Sequence, residues 1–202
     1  MDYNEYRGIS NLVVAALTEA ADETGKVTAT YSKPIRLAGV QSVSKEVSES
    51  SEPHYYDNVP AIVVDSEGQD TYTLTVSLLE AKTRALIEGT TYDEKTGAII
   101  GTPKQKKYFA LGFIADTVAG KKIYNWIYKG KFTGGNEEHN SKNDGTDANN
   151  VEYTYTSINT SETSEKTGGK TYKYLSVEDN DKVDLSKFFD QVTKPDDLVA
   201  KA

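Results

Sequence analysis

Residues 69–78 alternate between Thr71, Thr73, Thr75 and Ser77 on one side and Tyr72, Leu74, Val76 and Leu78 on the other. A period of two, rich in Thr and Tyr, predicts a half-buried β-strand. Residues 107–115 put Phe109, Leu111 and Phe113 on one face and Tyr108, Ala110 and Ile114 on the other. Both faces are apolar, so this strand is expected to be covered on both sides, by the core and by something else. Residues 122–132 place Tyr124, Trp126, Tyr128 and Phe132 on one face, against Ile123, Ile127, Asn125, Lys129 and Lys131. Residues 151–158 and 170–177 alternate again, and 11–18, 35–47 and 59–65 are further strand candidates.

One helix is signalled. Ser77-Leu78-Leu79-Glu80 has the form of a capping box, in which the Ser hydroxyl and the Glu carboxylate each accept the other's backbone N–H. Ala81 to Glu88 are mostly good helix formers, and Gly89 can take the left-handed conformation that ends a helix. Leu78, Leu79, Ala81, Ala85 and Leu86 form its expected apolar face, interrupted by Lys82, which would have to snorkel. A weaker second helix is expected from Leu185 to Val192, anchored by Phe188 and Phe189. Asp22-Glu23-Thr24-Gly25, Asp57-Asn58-Val59-Pro60, Asp65-Ser66-Glu67-Gly68 and Ala119-Gly120-Lys121 read as turns. The polar stretches 134–150 and 159–169 offer too little apolar surface to hold a fixed shape alone. The first is expected to order, if at all, only against a neighbouring molecule.

At 202 residues the chain suits one domain with a sizeable core, an extended N-terminal arm, long inter-strand loops and a C-terminal arm over about 178–202. It has no Cys, so disulfides, thiolate metal sites and cysteine nucleophiles are excluded. The acidic N-terminus leads into no signal-peptide hydrophobic region, and the longest apolar run, Leu12 to Leu17, is far short of a membrane span. The net charge of −8 argues against general affinity for DNA or anionic membranes. That charge is uneven. Residues 46–70 hold seven acids and no Lys or Arg, whereas 104–131 hold seven Lys against Asp116 alone. Two such patches can attract each other within one subunit, the simpler arrangement, or between copies.

Candidate chemistry is sparse. Glu137-Glu138-His139 lies among Asn, Ser and Gly, without the apolar setting that tunes a catalytic pKa, and is read as a solvated loop. Residues 140–147 resemble a calcium loop in composition. Aligning Gly145 with that loop's glycine puts Lys142 at a ligand position and Val151 where the bidentate Glu belongs, so the match fails. No phosphate loop, nucleophile elbow or dinucleotide fingerprint occurs. The expectation is a protein without enzymatic activity and without cofactor or metal.

Several segments resemble the major tail protein, or tail tube protein, of bacteriophages with long non-contractile tails, especially those of Gram-positive hosts. They are Tyr6-Arg7-Gly8-Ile9-Ser10-Asn11-Leu12, Ile35 through Ser44, Thr71 through Gly89, Tyr108-Phe109-Ala110-Leu111-Gly112-Phe113, and Ile123 through Phe132. The likeness spans roughly residues 6 to 200, and its motifs are structural. It implies a mainly β fold of two packed antiparallel sheets, a sandwich or flattened barrel, with one flanking α-helix. It implies six-membered rings stacked into a tube that conducts DNA, with one sheet of each subunit joining a barrel around the lumen. On that view, the barrel would explain why 107–115 is apolar on both faces. The implied partners are further copies of the chain, the tape measure protein, and the tail terminator and baseplate proteins, in a virion assembled in the host cytoplasm. Some relatives carry an extra immunoglobulin-like domain, for which this chain is too short. The other reading of Tyr/Thr-rich strands with polar loops is a β-sandwich module that binds carbohydrate or a cell surface.

Contact between stacked rings is expected at a projecting hairpin or loop over 46–60. Its candidate residues are Glu46, Glu49, Glu52, His54, Tyr55, Tyr56 and Asp57, facing Lys104, Lys106, Lys107, Lys121 and Lys122 of a neighbour.

Overall fold

The computed structural model describes residues 4–137, 139 and 150–201. Its elements, in chain order, are β1 (Tyr6–Ala21), β2 (Val27–Tyr31), β3 (Ile35–Arg36), β4 (Val40–Tyr56), β5 (Val59–Val76), α1 (Ala81–Glu88), β6 (Thr91–Asp93), β7 (Ala98–Ile100), β8 (Phe109–Thr117), β9 (Lys122–Asn136), β10 (Val151–Ser157), β11 (Thr163–Ser164), β12 (Lys170–Thr171) and β13 (Tyr174–Glu178). The architecture is mainly β and antiparallel, with one α-helix. Nine strands form one sheet, ordered β2-β1-β8-β9-β10-β5-β4, with β13 beside β9 and β3 beside β1. β6–β7 and β11–β12 are two small separate sheets. β1 also touches β4 at the far side of the strand order, so the large sheet is strongly curled without closing into a barrel.

The curl creates two hydrophobic clusters. The inner one gathers Leu12, Val14, Tyr72, Leu74, Val76, Phe109, Leu111, Ile127, Phe132 and Tyr155, capped by Leu79 and Ile87 from the helix region. The outer one gathers Val13, Ala15, Ala110, Trp126, Tyr128 and Tyr172 beneath Leu185, Phe188 and Val192. The apolar residues on both faces of β8 therefore find cover within their own chain. The C-terminal segment supplies the second layer that was expected from a barrel shared between subunits. Trp126 donates its Nε1–H to the Phe188 carbonyl at 3.1 Å, and the Tyr128 hydroxyl donates to the Thr193 carbonyl at 2.7 Å. Both polar atoms are thus satisfied inside an apolar layer. Gly112 makes the layer possible, because a Cβ there would lie 2.8 Å from the Trp126 ring and 2.9 Å from Phe189.

Several local expectations are corrected. In β9, Phe132 does not share a face with Trp126 and Tyr128. The β8 register changes from Leu111 opposite Ile127 to Phe109 opposite Gly130, so β9 holds one extra residue there. Such a bulge turns every later side chain to the other face, and Phe132 enters the inner core. Ser77 caps no helix. Its hydroxyl accepts the Gly39 N–H, and α1 begins after Glu80 with no side-chain cap. Gly89 does end α1 in the left-handed conformation. The helix buries Thr83, Ala85 and Ile87, while Leu78 lies outside and is exposed. Lys82 points to solvent and meets Glu94 at 2.6 Å rather than crossing the apolar face.

Residues 185–192 form a series of turns rather than a helix, although Phe188 is buried as an anchor should be. Residues 159–169 have a defined conformation without an apolar core. Asp196 accepts from the Ser164 hydroxyl at 2.7 Å and from the backbone N–H of Glu165 and Lys166 at 3.1 Å each. Lys194 bridges Glu162 and the Ala29 carbonyl. Converging hydrogen bonds to charged groups do here what apolar burial does elsewhere. Of the 134–150 stretch, residues 134–136 continue β9. The expectation for the remainder falls largely outside the described residues.

Candidate assembly surfaces

β4 and β5 form a long hairpin. Their pairing runs from Val40 opposite Val76, through Val47 opposite Asp70, to Tyr56 opposite Val59. Asp57 and Asn58 close it, both with positive φ (50° and 65°), the pairing of a two-residue turn whose twist matches the strands. Beyond Asp70, β5 has no partner other than β4, since β10 ends at Ser157 opposite Asp70. The hairpin over 46–60 is therefore a real projection. From Val47 to Tyr56 it extends about 30 Å, at about 3.3 Å per residue.

Asp65-Ser66-Glu67-Gly68 belongs to this ladder and makes no turn. Turn-prone residues are tolerated because β4 supplies partners for Asp65, Ser66 and Glu67. The irregularity sits instead between Val47 and Glu49, opposite Gly68. A Cβ at Gly68 would lie 2.6 Å from the Ser48 carbonyl oxygen, so the bulge needs glycine.

The base of the hairpin is anchored by charge. Asp70 has its side chain only 3% exposed and meets Lys45 at 3.2 Å and Lys173 at 3.3 Å. Lys173 also donates to the Gly68 carbonyl. Past this anchor the hairpin has little to bury against. Glu46, Glu49, Glu52, His54 and Asp57 are exposed, and none of the ion pairs among the described residues includes them. The tip exposes Tyr55, Tyr56, Val59, Ile62 and Val63, each more than half accessible. Five large apolar side chains on one unsupported projection are what an interaction surface presents.

The basic residues divide. Lys106 donates to the Phe132 carbonyl at 2.9 Å and is partly buried, and this burial lowers its pKa. Lys121 pairs with Glu178, and Lys129 with Glu19. Lys131 lies over the Tyr108 ring at 4.3 Å. Lys104, Lys107 and Lys122 remain exposed. No described ion pair joins the 46–70 acids to the 104–131 lysines within the subunit.

The topology explains why. β5 carries the exposed tip at its Val59 end and leads at Val76 into Ser77 and α1. Lys104 to Lys107 lie beside the end of α1, where the Gln105 N–H donates to the Gly89 carbonyl at 2.9 Å. Acidic hairpin and lysines 104–107 thus occupy opposite ends of one long strand. Lys121, in the β8–β9 turn, and Lys122, at the start of β9, lie apart from Lys104–107, so the five sequence-selected lysines do not form one patch.

The Glu137-Glu138-His139 stretch is only partly solvated. Glu137 meets Arg84 at 2.5 Å with its side chain 20% exposed, while His139 is 85% exposed. Arg84 is also held by Glu88, which accepts from the Tyr153 hydroxyl. These contacts anchor a loop root. Glu138 falls outside the described residues. Among the described residues no group of His, Asp and Glu could hold a metal ion, and no helix is long and apolar enough to cross a membrane.

A curled β scaffold with an exposed projecting hairpin and few reactive groups has the features of a structural protein that meets other molecules through its surfaces. A family model described as phage tail tube protein matches residues 41–196, and the chain belongs to that family. No curated protein matches it. It is therefore a structural component of the phage virion, a major tail protein whose family self-assembles into the tail tube and is not a family of enzymes.

Proposed function

We propose that the chain forms six-membered rings that stack into the tube of a long non-contractile tail, through which DNA passes into the host. On this reading the chain is one tail tube domain with terminal arms. Its partners are its own copies, the tape measure protein in the lumen during assembly, and the terminator and baseplate proteins at the two ends. Assembly takes place in the host cytoplasm. Ring size and partners are what the family resemblance implies. The excess of acids suits a wall that must pass DNA without holding it.

The observation that carries the stacking mode is polarity. An acidic projection stands at one end of the curled sheet, and exposed Lys104 and Lys107, which form no ion pair among the described residues, stand toward the other. Copies stacked head to tail bring the two together, and such a heterologous contact propagates as a filament. Each exposed ion pair is worth only about 0.2–1 kcal/mol, but every subunit of every ring repeats it.

Reversing Lys104 and Lys107 to Glu tests this. Lys106 is left alone because it bonds to its own chain. Tube yield by negative-stain microscopy is expected to fall at least several-fold with an unchanged melting temperature. Adding Glu49→Lys and Glu52→Lys should restore it. A wild-type yield from the double reversal would remove the charge contact. A lowered melting temperature with proportionate loss of tubes would place those lysines in intrasubunit roles.

A further inference from the structure

We propose that the apolar tip of the β4–β5 hairpin seats in a groove at the opposite end of a second copy, beside the C-terminal end of α1. The inference rests on the tail tube reading and names the acceptor for its stacking contact. The groove has a volume of about 490 Å³ and is lined by Ala85, Leu86, Gly89, Thr91, Pro103 and Lys107 among others. Among the described residues that line it, Lys107 is the only charged one and none is a carboxylate. The tip segment 54–63 carries Asp57 as its only acid and no Lys or Arg. Donor and acceptor are therefore complementary in sign.

Both also have unmet needs. At the tip, Tyr55, Tyr56, Ile62 and Val63 are all more than half exposed. Beside the groove, Ile100, which pairs with Thr91 of the lining, is 49% exposed.

A subunit cannot fill its own groove. The tip lies at the Val59 end of β5, whereas the 104–107 segment beside the groove is level with Tyr72, because Lys106 bonds to the Phe132 carbonyl and Phe132 pairs through Tyr155 with Tyr72. The stretch of β5 from Val59 to Tyr72 spans about 43 Å at about 3.3 Å per residue. Only another copy can bring them together. Because each copy offers both halves, the contact repeats without limit along one axis.

The chain's lack of cysteine allows a direct test. Tyr56→Cys and Thr102→Cys proteins, made separately, are mixed, allowed to form tubes, and oxidised. The expected product is a disulfide dimer containing one chain of each kind, abundant in tubes and absent from either protein alone. A parallel mixture pairs Tyr56→Cys with Ser176→Cys, which lines a second cleft of about 570 Å³ on the hairpin side of the molecule. Cross-linking in that mixture instead overturns the groove assignment. Tubes that form with no heterodimer in the first mixture overturn it while leaving the tail tube reading intact. Failure of the unaltered protein to form tubes or rings under any condition defeats that reading and this one together. As a second measurement, Ile62→Asp should reduce tube yield at least tenfold with an unchanged melting temperature. Normal tubes from this variant would also overturn the proposal.

Discussion

The projecting part of the β4–β5 hairpin and the β8–β9 pair use the same antiparallel ladder and differ in what covers their faces. In β8, Phe109, Ala110 and Leu111 are completely buried, and across from them Trp126 and Tyr128 are too. Each face is sealed, one by the curl of the sheet and one by the C-terminal segment. From Glu46 to Tyr56, by contrast, every residue of β4 is exposed. The ladder alone gives the hairpin its shape, and an isolated two-stranded ribbon is only marginally stable in water. The Asp70 anchor stands at the boundary. It is a buried carboxylate held by two lysines, after which the core ends and the projection begins. Stability thus resides in one region and unsatisfied surface in the other. That division is physically sensible in a subunit that must fold first and assemble afterwards.

The largest effect that would sharpen this contrast is expected from Trp126→Ala. It removes a fully buried ring and its hydrogen bond to Phe188, and should cost about 3–5 kcal/mol, read as a large fall in melting temperature. A near-neutral result would mean that the C-terminal segment is not a structural layer.

A smaller effect is expected at Asp196, which organises residues 164–166. The Ser164 hydroxyl, then the backbone N–H of Lys166 and Glu165, hold its pKa below the ordinary aspartate value of 3.8. A carboxylate with a lowered folded pKa contributes stability above its unfolded pKa and loses it as pH falls through the folded value. Asp196→Asn should therefore lower the melting temperature modestly at pH 7, with the difference from wild type shrinking below about pH 4. A difference that stayed constant down to pH 2 would assign the loss to geometry rather than charge.

The smallest effect on stability is expected from the largest deletion. Replacing residues 49–67 by a two-residue turn between Ser48 and Gly68 removes the projection and keeps the Asp70 anchor. The melting temperature should stay within a few degrees, while tubes disappear. Strong destabilisation of the monomer would erase the distinction between the two regions.

Much of this division is legible in the residues. The apolar double face of 107–115 announced a strand covered twice, and the dense acids of 46–52 followed by the rings of His54, Tyr55 and Tyr56 announced a projection. The sequence could not say what supplied the second cover. Leu185, Phe188 and Val192 are far along the chain from β8, and their relation to it is set by the sheet's curl. Nor could it separate Lys106, bound to the Phe132 carbonyl, from the exposed Lys104 and Lys107 beside it. One missed signal was available, because Lys173 and Lys45 are natural partners for an acid flanking a strand. The fate of residues 159–169 was harder to see, since polarity alone does not reveal that Asp196 will converge on them.

Local chemistry therefore determined the period-two strands, the turns at Gly25 and Gly120, the Asp57-Asn58 reversal and the Gly89 helix end. These depend on neighbours along the chain, on φ preferences and on alternation. Tertiary structure alone decided the bulge that sends Phe132 inward, the release of Ser77 from its expected capping role, and the placement of acidic hairpin and lysines 104–107 at opposite ends. Each of those outcomes depends on pairing across the sheet, where one extra residue in β9 or one competing hydrogen bond from Gly39 outweighs a local preference of similar size.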